Sequence, residues 1–227
     1  MEQYSNQMTR AAVKRTYDAS CRTATAEELR RHIVDTATPL FVEHGYELAS
    51  MRLVADAAGV SPQTLYNAFG SKFGLFAAVM NVVVVGDHEP IAIAARPEVA
   101  ALDAITDPDA FVRAIVGLAL PILARVAEIY PTLRSAASSD REVAVAYQHF
   151  VIDGRYADQR ASIARFAALR ALPRKLDVDK ATDVAWTVLS PDTYHLLVSH
   201  RGWTPKAFES WATDILLAEL VSPRGRP

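Results

Sequence analysis

The stretch Asp56–Lys72, DAAGVSPQTLYNAFGSK, ends one helix at a glycine and begins another two residues later. Ser50 is a good N-cap for the first helix, which places Met51, Val54, Ala55 and Ala58 on one side and Arg52 and Asp56 on the other. Gly59 ends it, Ser61 caps the next, and Pro62 takes a first-turn position where its missing N–H costs nothing. In the second helix Leu65 and Phe69 point one way with Ala68 beside them, while Gln63, Thr64 and Asn67 point the other. Two short helices joined by a glycine turn cannot enclose a large core, but they fix a protruding polar helix at a set angle, which is a helix-turn-helix. The second helix of such a unit enters the DNA major groove. Gln63 and Asn67 carry the amide that pairs bidentately with adenine, and Thr64 offers a methyl to thymine and a hydroxyl to phosphate or base. Tyr66 flanks this face with its hydroxyl toward the backbone, and Lys72 follows the Gly70-Ser71 break, where a new helix start favours phosphate. A glycine turn also suits a plain helical hairpin whose polar side faces water, and that alternative stays open on the turn alone.

On the N-terminal side, Ile33, Ala37, Leu40 and Phe41 share one face of an amphipathic helix, kinked at Pro39 and ending near Gly45. Residues 1–24 show no such periodicity and read as a flexible basic arm: Arg10, Lys14, Arg15 and Arg22 against Glu2 and Asp18 give +2. Residues 25–80 sum to −2, with Arg30, Arg31, Arg52 and Lys72 against six acidic residues, which runs against the usual basic footprint of phosphate neutralisation. On the C-terminal side, Ser71 opens a helix carrying Leu75, Phe76, Val79 and Met80 that leads toward Gly86. Further helix starts fall at Asp107-Pro108, Ser139-Asp140, Asp177 or Asp179, and Thr204-Pro205. The reading is all-α: a helix-turn-helix domain over 25–72, a connecting helix over 73–86 and a larger helical domain over 87–227.

The composition fits a folded protein, with 51% apolar and 22% charged residues in 227. A lone cysteine, Cys21, forms no internal disulfide and suits a reducing compartment, so a cytoplasmic protein is expected. Residues 1–32 hold six Arg and Lys and no signal-type apolar run. Ala114–Ala124 is apolar for only 11 residues, shorter than the roughly 20 a spanning helix needs, so a buried core helix and no membrane partner are expected.

Catalytic signatures are sparse. Di-iron bundles need paired Glu-x-x-His motifs, and Asp192-x-x-His195 is the nearest feature. None of the six histidines has zinc-type spacing, and neither a G-x-S-x-G nor a phosphate-loop motif occurs. No cofactor, no metal and no enzyme activity are expected. Two other classes remain: a helical effector-binding protein without DNA binding, and an all-α enzyme whose residues converge from afar.

From Phe41 to Leu75 the chain resembles the TetR family of transcriptional regulators. The resemblance rests on Leu40-Phe41, Gly45-Tyr46, Ser50, Val54-Ala55, Ala58-Gly59-Val60-Ser61, Thr64-Leu65-Tyr66, Phe69, Ser71-Lys72 and Leu75. It implies that Gln63, Thr64 and Asn67 meet bases while Ser50, Tyr66 and Lys72 hold phosphates; Arg52 and Ser61 complete the DNA-facing set. Ala68 departs from the family's His or Tyr and removes one phosphate contact, Ala49 replaces a frequent Thr, and Phe73-Gly74 replaces a Glu-containing helix start. It further implies a repressor that leaves its double-stranded operator when a small hydrophobic effector binds the larger domain. Pocket candidates there are Phe111, Tyr130, Tyr147, His149, Phe150, Phe166 and Trp186. A homodimer interface is expected on the last helices through Val184, Val188, Leu196, Phe208, Trp211 and Ile215, which offer more apolar surface than one helix pair needs. Arg113 and Arg125, which bracket an apolar helix, read as solvated ends.

Overall fold

The computed structural model describes the backbone of residues 2–89, 91 and 93–221, and side chains in that set from Thr25 onward. No strand occurs among the described residues. The chain divides into two compact units: Met1–His44 with Leu48–Val79, and Gly45–Glu47 with Met80–Pro227.

The first unit holds α1 (Glu2–Leu48), α2 (Met51–Ala58), α3 (Pro62–Phe69) and the first part of α4 (Lys72–Val85). Helical backbone runs from Glu2, through the residues 1–24 that show no helical periodicity in sequence. The physical reason is that no Gly or Pro precedes Pro39, so nothing breaks a helix even though no apolar stripe announces one. The side chains of residues 1–24 lie outside the described residues. α1 leaves helical geometry at Gly45 (φ 74°, ψ 171°), where the sequence places its end. Ile33, Ala37 and Phe41 face inward with no exposed surface, and Phe41 meets Phe76 edge-on at 4.9 Å between centroids. Leu65 joins this core, also fully buried.

The second unit contains two 3₁₀ turns (Ile93–Ala95 and Ala101–Ala104), α5 (Pro97–Ala100), α6 (Pro108–Ser139), α7 (Arg141–Ala146), α8 (Arg155–Ala168), α9 (Val178–Val188), α10 (Pro191–Tyr194) and α11 (Pro205–Leu220). Segments of π-helix, Tyr147–Gly154 and His195–His200, link α7 to α8 and follow α10. α8 packs on α9, and α11 packs on α6 and α9. Side-chain caps hold several starts: Asp107 accepts from Ala110 N, Asp177 from Lys180 N and Thr204 from Ala207 N. These are the starts anticipated from sequence. α6 has the length and apolar composition of a membrane span, but its Phe111, Val112, Ile115, Val116 and Leu123 lie in the core of this unit.

Phe111 and Phe166, expected to line a pocket, are core residues, 1% and 0% exposed, with ring centroids 5.6 Å apart. Val188 and Phe208, expected at a dimer interface, are likewise buried in their own chain; Phe208 packs edge-on against Tyr194 at 4.9 Å. Helical spacing identifies an apolar face without saying which neighbour covers it.

Candidate nucleic-acid interface and a polar cluster

The turn between α2 and α3 is closed by backbone and caps alone. Gly59 is left-handed (φ 67°, ψ 30°), and Val60 N reaches back to Ala55 O at 3.0 Å in a Schellman-type closure. Ser50 Oγ accepts from Leu53 N at 3.1 Å and Ser61 Oγ from Thr64 N at 3.1 Å, so each helix begins on its own serine. Both serines expected to face DNA thus also serve as caps, and a capping hydroxyl still has a proton to donate.

α3 buries Leu65 and Phe69 and exposes Gln63, Tyr66 and Asn67. Gln63 Nε2 donates to Asn67 Oδ1 at 2.9 Å, which holds the two amides side by side on the outer face. Thr64 is half-buried with its hydroxyl 2.8 Å from Ser61 Oγ, so its polar atom is already engaged at the cap. Lys72 opens α4, half-buried, and Arg52 stands exposed 3.9 Å from Asp56. Arg30 fixes α3 to α1: its guanidinium lies 4.2 Å from the Phe69 ring centroid and donates to Ala68 O. This contact was not anticipated, because it joins residues 38 apart.

Gly74 also has a structural explanation. A Cβ there would sit 2.0 Å from Phe69 O, so the departure that costs helix propensity is what lets α4 start against the end of α3.

The larger unit holds a second concentration of polar groups. Tyr130 OH donates to Asp192 Oδ2 at 2.5 Å and lies 3.3 Å from Tyr147 OH, while Arg134 Nη1 donates to Asp192 Oδ1 at 2.5 Å. Burial, reinforced by the hydrogen bond to Asp192, holds the Tyr130 phenol well above its usual range, so it stays a donor. Arg155 Nη1 donates to Trp186 O at 3.1 Å and its guanidinium stacks 4.4 Å from the Trp186 ring centroid. Desolvation pulls Arg155 down to about 10, so it remains a cation at neutral pH. Because that value lies below the ordinary one, the burial cost is relieved only as pH rises beyond about 10. Arg155 Nε, Trp186 Nε1 and His195 Nδ1 are buried without a hydrogen-bond partner.

Of the expected pocket residues, Tyr130, Tyr147 and Trp186 therefore meet in or beside this cluster. His149 and Phe150 do not: both are exposed on the π segment, Phe150 by 69%, and pack against each other. Arg155, Asp192 and His195 also belong to this cluster and were not among the residues expected there; the sequence reading took the Asp192-x-x-His195 pair only as a metal motif. Among the described residues no group of acidic, His and Cys side chains is placed to hold a metal. Arg125 is not a free solvated end. It donates to Val83 O and Val84 O at 2.9 Å and Val85 O at 3.3 Å, capping the C-terminal end of α4.

The first unit is thus a helix-turn-helix with a polar outer helix. Residues 33–79 match the family described as bacterial regulatory proteins, tetR family. The chain carries the N-terminal domain of the TetR family, as its motifs indicated. It is 41% identical over 59 residues to the HTH-type transcriptional repressor BdcR of Escherichia coli, covering 26% of this chain and 30% of that protein. It is 43% identical over 54 residues to the HTH-type transcriptional activator FasR of Mycolicibacterium smegmatis, covering 24% and 25%. The chain thus matches less than a third of the length of these curated relatives. In fold, it is similar to a protein of Saccharomonospora viridis described as a transcriptional regulator and solved in complex with choline. That match has a TM-score of 0.67 at 20% identity, covers 86% of this chain and 99% of the other, and speaks for the fold alone.

Proposed function

We propose that this protein is a cytoplasmic, sequence-specific DNA-binding transcriptional regulator, a homodimeric repressor that leaves its operator when a small effector binds the larger unit. The observation that carries the reading is α3, a two-turn helix clamped at both ends that presents the Gln63 and Asn67 amides outward. On docking, the Gln63–Asn67 hydrogen bond opens and each amide is free to pair with the N6/N7 edge of adenine. Tyr66, Lys72, Ser50 and Arg52 hold phosphates around them. Two copies place two such helices in half-sites about one helical turn apart. The outer parts of Val184, Trp211 and Ile215, with exposed Leu196, remain the candidates for the dimer contact.

The effector acts by preferring a state in which the two reading helices no longer fit. α6 supplies a route: Tyr130 and Arg134 belong to the polar cluster, and Arg125, about 7.5 Å earlier along the same helix axis, grips the end of α4. A displacement of α6 by a ligand at Tyr130 is thereby passed to α4, whose first residue is Lys72. The bound choline in the Saccharomonospora viridis structure supports a small-molecule role for this fold.

Fluorescence anisotropy with DNA fragments tiling the neighbourhood of the protein's own gene, in excess competitor and at two salt concentrations, tests the reading. One fragment bound preferentially, and less tightly at higher salt, is expected. Equal, weak binding to every fragment, including a randomised operator library, overturns it.

A further inference from the structure

The polar cluster is asymmetric in charge. Asp192 is the acceptor of both Tyr130 and Arg134, so its charge is already answered. Arg155 feels Asp192 only at a distance and has no carboxylate hydrogen-bonded to it: its hydrogen bond goes to a neutral carbonyl, its face lies on an indole, and its Nε–H is buried without an acceptor. The same indole holds a second buried donor, Trp186 Nε1–H, also without an acceptor. Donors that are buried and unpaired carry a standing desolvation cost, and a buried guanidinium carries a larger one. Two such donors on stacked side chains, one of them cationic, suit an anionic acceptor that takes both hydrogen bonds.

The backbone agrees with a site at this place. Tyr147 opens one π-helical segment and Arg155 follows directly after it, while His195 opens the other and Asp192 lies one turn before. Such wide turns inside helical runs recur at functional sites because they shift the register of side chains. Tyr147 and Trp186, both part-exposed, lie near the donors and add flat aromatic surface for an apolar body.

We infer that Arg155 and Trp186 form the anchoring end of an effector site for a small carboxylate with an aromatic or similarly flat apolar body. The inference rests on the effector role proposed above for the larger unit and narrows the ligand implied by the family resemblance, which was small and hydrophobic. The carboxylate accepts from Arg155 Nε–H and Trp186 Nε1–H and cancels the lone positive charge. A quaternary ammonium of the choline type is the opposite case: it would meet Arg155 as a like charge and find Asp192 already occupied.

The test uses the full chain and benzoate as the probe, with choline and benzyl alcohol as controls. The indole N–H resonance of Trp186, assigned by its loss in Trp186→Phe, is followed by NMR while affinities are measured by calorimetry. The expected result is a saturable downfield shift with benzoate, with at least about tenfold weaker binding in Arg155→Gln and partial recovery in Arg155→Lys. Trp186→Phe, which keeps a ring but loses the donor, is expected to weaken benzoate several-fold, so the inference stays testable should Arg155→Gln not fold. No saturable shift up to about 10 mM benzoate, unchanged affinity in the folded variants, or preference for choline overturns it. Benzoate binding is read without DNA, so its failure leaves the operator test standing, and failure of the operator test leaves the benzoate result interpretable.

Discussion

The α2–α3 turn and the polar cluster of the larger unit are both small sites, yet they are built in opposite ways. In the turn, every determining contact is local: Ser50 to Leu53, Val60 to Ala55, Ser61 to Thr64, Gln63 to Asn67. In the cluster, every determining contact is remote: Tyr130 to Asp192 spans 62 residues and Arg155 to Trp186 spans 31. The first site closes these donors and acceptors on one another; the second leaves three buried nitrogens unmatched. The turn closes on its own backbone and caps, whereas the cluster leaves donors that the proposed effector would engage.

Substitutions sharpen this contrast, and the largest effect belongs to the core beneath the turn. Leu65→Ala removes a fully buried side chain and is expected to cost about 2–5 kcal/mol, seen as a lower midpoint in urea unfolding. Gly74→Ala places a methyl 2.0 Å from Phe69 O, and the resulting shift is expected to cost about 1–3 kcal/mol by the same measurement. Were it silent, the close approach of α4 to α3 would not be as described. Tyr130→Phe deletes the donor to Asp192 but leaves Arg134 in place, so a smaller loss of about 1 kcal/mol in thermal unfolding is expected. Arg52→Ala touches only an exposed pair at 3.9 Å and is expected to change stability by less than about 0.5 kcal/mol while weakening DNA binding at every sequence alike.

The same contrast explains what was legible before the fold was known. Caps, a left-handed glycine and the opposed faces of α3 are properties of neighbours in sequence, so the helix-turn-helix and its outward residues were readable from Asp56–Lys72. Periodicity also announced the helices of the larger unit, but it did not distinguish Phe208, sealed in its own core, from Leu196, which stands 59% exposed. Aromatic type alone grouped Phe111 and Phe166 with Tyr130, although the first two are core. Arg155 carried no local signal at all. Its significance is an Nε–H left without an acceptor, which exists only once Trp186 has been folded over it. Arg125 was read from its local setting as a solvated end, and only the fold shows that it caps a helix 40 residues away.

The central claim is that α3 reads bases through Gln63 and Asn67 while other residues supply sequence-independent grip. Anisotropy titrations of the wild type and of Gln63→Ala/Asn67→Ala, on the preferred fragment and on a scrambled one, over a range of salt, test it most directly. The account predicts that the double variant loses preference for its fragment by about a hundredfold or more, while its affinity for scrambled DNA and its salt slope stay as they were. A double variant that keeps its preference, or that loses grip on both fragments equally, would contradict it.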